Sequence, residues 1–148
     1  MRSDPVTVPV LASRPGIFSV DSTGQGQGAI LNEDGTVNSP SNPALRGSII
    51  TIFGTGGGEA AAGVVDGEIV SGVLPRTSLP VSVFFARGLY EEWAQGEVQY
   101  AGGSPGSVAG LLQVNVRVPA NAAAGEMVPF AFIVGSHWTL YQITVAVR

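Results

Sequence analysis

The chain has 148 residues, 45% of them hydrophobic and 12% charged, with a formal net charge of −4. That is one ordinary domain with enough apolar content to bury a core, and the composition argues against disorder. All seven basic residues are scattered arginines and no cysteine is present, which excludes a phosphate-tracking nucleic-acid surface, disulfides, thiolate metal sites and thiol nucleophiles.

Met1-Arg2-Ser3-Asp4-Pro5 has no apolar h-region and is not read as a signal peptide. No apolar run approaches the length of a membrane-spanning helix, so no membrane insertion is expected. Residues 1–14 read as an N-terminal strand or linker, and residues 15–148 as one domain. Strand signals recur between Gly-, Pro-, Asn- and Asp-rich clusters, the rhythm of an all-β sandwich or barrel. In chain order the candidates are 6–11, 28–32, 48–53, 68–70, 81–85, 97–100, 111–118, 128–134 and 140–147.

Gly24-Gln25-Gly26-Gln27-Gly28 reads as a turn or bulge. Asn32-Glu33-Asp34-Gly35 carries the Asp-Gly signature of a tight hairpin. Ser39-Pro40-Ser41-Asn42-Pro43 is a loop, because its prolines remove ladder donors. Gly54-Thr55-Gly56-Gly57-Gly58 lacks the Lys-Ser/Thr of a phosphate loop, and no helical pattern follows; it reads as a flexible strand exit.

Phe84 and Phe85 point to opposite faces of their strand, so one of them belongs to the core. The segment that follows breaks the β rhythm. From Leu89 onward, Leu89, Tyr90 and Trp93 fall on one side of a turn or two of helix, so a short helical insertion is expected over residues 87–95. In the later strand, Leu112, Val114, Val116 and Val118 alternate with Gln113, Asn115 and Arg117, the pattern of one buried and one wet face. Ile143, Val145 and Val147 face inward in the last strand.

Eight of the eleven aromatic residues fall in two windows: Phe84, Phe85, Tyr90 and Trp93, then Phe130, Phe132, Trp138 and Tyr141. The only histidine, His137, lies in the second window. Rings at loops or on an exposed sheet face make good interface anchors. Segments 84–96 and 130–142 are therefore the expected contact region for a protein partner. Its residues would be Phe84, Arg87, Leu89, Tyr90, Glu91, Glu92, Trp93, Phe130, Phe132, His137, Trp138, Leu140 and Tyr141. Glu91, Glu92 and Arg87 would form a polar rim that sets orientation and on-rate.

Two other outcomes compete with partner binding. The rings could pack on one another as an internal satellite core, or pair two copies as a homodimer. An acid–base site needs His137 within hydrogen-bond reach of Glu91, Glu92, Glu97 or Tyr141, and Ser136 beside His137 is not triad geometry. No catalytic residue, cofactor or metal is assigned, and the chain is expected not to be an enzyme. Glu33 with Asp34, and Asp66 with Glu68, are too sparse for a calcium site.

Several stretches together resemble one family: Pro15-Gly16-Ile17-Phe18, Gly24-Gln25-Gly26-Gln27-Gly28-Ala29-Ile30-Leu31-Asn32, Asn42-Pro43-Ala44, Gly47-Ser48-Ile49-Ile50-Thr51-Ile52-Phe53-Gly54-Thr55-Gly56, Tyr100-Ala101-Gly102, and Gly110-Leu111-Leu112-Gln113-Val114-Asn115-Val116-Arg117-Val118-Pro119. The resemblance is to the Solibacter-type C-terminal domain family of acidobacteria, and it covers residues 15–148. It implies an immunoglobulin-like sandwich related to IPT/TIG modules, at the end of a secreted or cell-surface protein, with no catalytic residues. Two cassettes depart from the family pattern. A short Gly-Gly-Gln-Pro-Ala type turn is replaced by residues 84–96. Small aliphatic residues and a Ser-Ser-Gln-Ala-Gly type loop are replaced by the second aromatic window. Intact flanks around changed cassettes are what an engineered binder, an enzyme inhibitor or a recent binding adaptation would show.

Overall fold

In a computed structural model of the chain, residues 4–60, 64–65, 67–88, 92–139 and 142–148 are described. Among them the chain is all-β, with ten strands and no helix. The strands are β1 (Gly16–Ile17), β2 (Gly26–Gln27), β3 (Ile30–Leu31), β4 (Ile49–Thr55), β5 (Val81–Ala86), β6 (Trp93–Gly103), β7 (Leu112–Arg117), β8 (Gly125–Val134), β9 (His137–Trp138) and β10 (Ile143–Val147). They hydrogen-bond in the order β1-β4-β7-β6-β5-β8-β10-β2, with β3 also on β4 and β9 also on β8. All pairings are antiparallel except β10 with β2.

Among the described residues the sheet curls around an apolar cluster. Ile50 and Ile52 of β4, Val114 and Val116 of β7, Val83 and Phe85 of β5, Phe130 and Phe132 of β8, and Val145 of β10 are each fully buried in it. Every second residue points inward, so period-2 patterning becomes a continuous concave wall. Phe85 and Phe130 are a register pair whose rings stack with centroids 6.0 Å apart.

β6 lets the sheet turn. Its first residues pair with β5 and its later ones with β7, and the register slips between Val98 and Tyr100. A bulge of this kind bends a strand and raises its twist.

The patterned strands at 48–53, 81–85, 97–100, 111–118 and 128–134 are all present, with ends shifted by a few residues. Leu112, Val114, Val116 and Val118 face the core, as do Ile143, Val145 and Val147. Phe85 is core, whereas Phe84 is half-buried on the opposite face. The Asp-Gly turn is also present: Gly35 N donates to Asn32 O at 2.9 Å, and Gly35 has φ 81°.

Three expectations need correction. Trp93, Ala94 and Gln95 are strand, paired with Ala86, Phe85 and Phe84; the expected helix is not formed there, because ladder bonds and core burial on β5 outweigh the weak propensity of a helix so short. Leu89, Tyr90 and Glu91 lie outside the described residues. Residues 6–11 form no strand; Val6, Val8 and Val10 alternate but are exposed with no neighbouring strand to pair them. Residues 68–70 contribute one isolated bridge, Ile69 to Val108.

Candidate functional site: an outer sheet face and its flanking latch

Paired residues in an antiparallel ladder share a face. Trp138 pairs with Ile133, Ile133 with Ser82, Phe84 with both Ala131 and Gln95, and Ala86 with Trp93. The registers therefore carry Trp138, Ile133, Phe84 and Trp93 onto one outer face across β9, β8, β5 and β6. Trp138 is 56% exposed; Ile133, Phe84 and Trp93 are half-buried, and Trp93 also packs against the core. Trp138 in addition borders a groove with Arg14, Ile17, Gln142 and Ile143.

Phe130 and Phe132, expected as partner contacts, occupy the opposite face and are fully buried. They are core residues. Phe130-Ala131-Phe132-Ile133 is apolar on both faces, so the period alone does not tell which side is wet. Arg87 and Glu92 are exposed, and Arg87 N donates to Glu92 O at 2.8 Å, which closes the described end of the β5–β6 hairpin. Leu140 and Tyr141 lie outside the described residues, as do Leu89, Tyr90 and Glu91.

His137 pairs with Val134, on the concave side and away from Trp138. Its Nδ1 lies 3.3 Å from Ser13 Oγ. Ser13 is buried and donates its hydroxyl proton to Val134 O at 2.8 Å. With that proton engaged, the contact is a hydrogen bond in the tautomer whose Nδ1 carries the hydrogen and donates it to the serine oxygen. That is the reverse of a nucleophile–base pair, in which serine gives its proton to imidazole. Ser136 Oγ is 3.5 Å from the same nitrogen, at the limit of a hydrogen bond. Glu97 is drawn elsewhere, 3.3 Å from Arg117 Nε across the β6–β7 ladder. The contact with Ser13 reads as a pin between the N-terminal segment and the β8–β9 hairpin.

That segment is held on its other side by glycines. A Cβ on Gly54, Gly56 or Gly58 would stand 2.4, 1.9 and 2.4 Å from the carbonyl oxygens of Gly16, Arg14 and Ala12 respectively. Arg14 N also donates to Gly56 O at 3.0 Å. The expected flexible strand exit is instead a cradle in which two backbones approach at every second residue, and only glycine allows that approach. Residues 12–17 thus form a latch joining β4 to the β8–β9 hairpin.

Asn38 was not visible as a key residue in the sequence. It is fully buried, accepts from Ala146 N at 2.9 Å and donates to Ala146 O at 2.9 Å. Its side chain stands in for a strand residue against β10, and Gln27 Nε2 and Asn32 Oδ1 complete its bonding at 2.9 and 3.0 Å. Two turn aspartates are held below the ordinary value of 3.8 by hydrogen bonds from Thr23 and Thr36 respectively: Asp21, helped also by Ser19, and Asp34. Burial pushes the Tyr100 phenol up, opposed by the Arg76 guanidinium 5.4 Å from its ring centre.

Compared with protein-family models, with curated proteins and with solved structures, the chain matches none.

Proposed function

We propose that this chain is a non-catalytic protein-binding module on an immunoglobulin-like sandwich. Its contact surface would be the outer face of β9, β8, β5 and β6. One observation carries the reading: the strand registers gather Trp138, Ile133, Phe84 and Trp93 on one face, with Trp138 more than half exposed. Large rings in such a position are typical interface anchors. A surface adapted to one protein, an enzyme cleft included, fits the changed cassettes of the Solibacter-type pattern.

The test uses the full chain as bait on extracellular protein from its source, followed by titration of the captured partner. Trp138→Ala is expected to weaken that complex at least about ten-fold, while Tm stays within about 2 °C. Unchanged binding would refute the proposed face.

A second reading has its own support. Phe85, Phe130 and Phe132 are fully buried, and Trp93 packs against the core. The chain would then be a structural C-terminal module of a secreted or surface protein, with its rings spent on internal packing. In that case Trp93→Ala and Trp138→Ala each lower Tm by more than about 5 °C and change no binding.

A further inference from the structure

The groove beside Trp138 carries a charge that the outer face otherwise lacks. From Trp138 to Trp93 the paired outer residues Ile133, Ser82, Phe84, Gln95 and Ala86 are all uncharged. At the far end Arg87 and Glu92 are of opposite sign, and Glu97 is spent on Arg117. Arg14 is different. Its side chain is exposed, and among the described residues no carboxylate pairs with it. Its backbone is held, since Arg14 N donates to Gly56 O and the neighbouring Ser13 is bonded to Val134 O. The latch thus presents a guanidinium from a fixed root, in a chain whose net charge is −4.

Arg14, Ile17, Trp138, Gln142 and Ile143 line this groove, whose volume is about 240 Å³. That is below the roughly 300–1,000 Å³ of pockets that enclose a whole small ligand, and it suits one or two side chains of a larger partner. Among the described residues no Asp, Glu or second Arg lines it. One guanidinium fork matches a carboxylate, whereas a phosphate calls for a cluster of cations. Backbone donors at the Gly24 rim are already used: the N–H groups of Thr23, Gly24 and Gln25 donate to Asp21 Oδ1, Ser19 Oγ and Thr23 Oγ1. A partner's terminal carboxylate, which a nest of such N–H groups would cradle, finds none there. Anion recognition in the groove falls to Arg14.

We infer, resting on the contact face proposed above, that this groove takes an acidic side chain of the partner protein: an Asp or Glu carboxylate pairs with the Arg14 guanidinium, and an apolar residue beside it in the partner covers the Trp138 ring. Carboxylate and guanidinium form paired, charge-assisted bonds that fix orientation. Trp138, more than half exposed, supplies the apolar anchor next to them. The two contacts depend on each other. An ion pair left in open water binds weakly, and covering the neighbouring ring keeps water away from it.

The test is selection of a phage-displayed library of random dodecapeptides on the immobilised full chain, with the enriched peptides then titrated by fluorescence polarisation. Expected are peptides with Asp or Glu beside an aromatic or aliphatic residue. Arg14→Gln and Trp138→Ala each weaken the best peptide at least about ten-fold. Raising salt from about 50 to about 500 mM weakens it for the native chain and much less for Arg14→Gln. The latch bond of Arg14 is made by its backbone, so the variant keeps the fold, and an unaltered circular dichroism spectrum and Tm check this. Uncharged or basic peptides that need Trp138 but not Arg14 overturn the carboxylate and leave the contact face standing. Acidic peptides indifferent to Arg14→Gln, or no enriched peptide at all, also overturn it, whereas the face answers to capture of a whole partner. Acidic peptides that need Arg14 but not Trp138 overturn both.

Discussion

At the scale of single residues, the decisive groups are small or polar. Asn38 saturates both backbone groups of Ala146 from within the core. Asn38→Ala would leave the buried Ala146 N–H without its acceptor, while Ala146 O keeps its bond from Ala44 N at 2.9 Å, so it is expected to cost about 1–3 kcal/mol in a urea unfolding experiment, above an ordinary surface change. Gly56 has φ 72° and no room for a Cβ beside Arg14 O. Gly56→Ala should therefore destabilise by at least about 2 kcal/mol, with faster amide exchange concentrated in residues 12–17 as the latch lifts. Neither role was legible in the sequence. Asn38 precedes a Ser-Pro loop and looks like any turn residue, and alternate glycines look like slack until a second backbone is seen lying against them.

At the scale of elements, legibility followed patterning. β7 announces itself because its polar and apolar residues alternate without exception from Leu112 to Arg117. β5 and β8 were found, but not their inner face, because Phe84-Phe85 and Phe130-Ala131-Phe132-Ile133 are apolar on both sides. The hairpin between β5 and β6 departs from its sequence pattern for a related reason. Leu89, Tyr90 and Trp93 have helical spacing, yet Trp93 is committed to a ladder with Ala86. The two kinds of ring should separate experimentally. Phe130→Ala removes a fully buried ring that stacks on Phe85, and an unfolding titration should show a loss of about 3–5 kcal/mol.

At the scale of the whole molecule, most buried apolar side chains of the described strands fall in one cluster. Unfolding is accordingly expected to be a single cooperative transition, with coincident far-UV and fluorescence curves; separated curves would refute it. Acid should act through the turns. Asp21 and Asp34 are fully exposed, and each is held by its threonine below the ordinary aspartate value. The unfolded chain therefore takes up these protons first as the pH drops. Their stabilisation is complete above pH of about 4 and fades as the pH falls through their lower folded values. Tm measured between about pH 5 and 2 should fall, and the fall should be shallower in an Asp21→Asn, Asp34→Asn double variant; an identical slope would refute the assignment.

From the sequence alone came the all-β class, the main strands, the Asp-Gly turn and the inward residues of β7 and β10. These depend on local rules: period-2 alternation, β-branched content and turn chemistry, all readable within a few neighbouring residues. Only the tertiary structure decided that Phe130 and Phe132 are core while Trp138 faces out, that three spaced glycines cradle the N-terminal segment, and that Ser13 and His137 meet across 124 positions. Each of those is a contact between segments remote in sequence. Which face of a strand is dry, and which backbone needs room, is settled by how the sheet closes on itself.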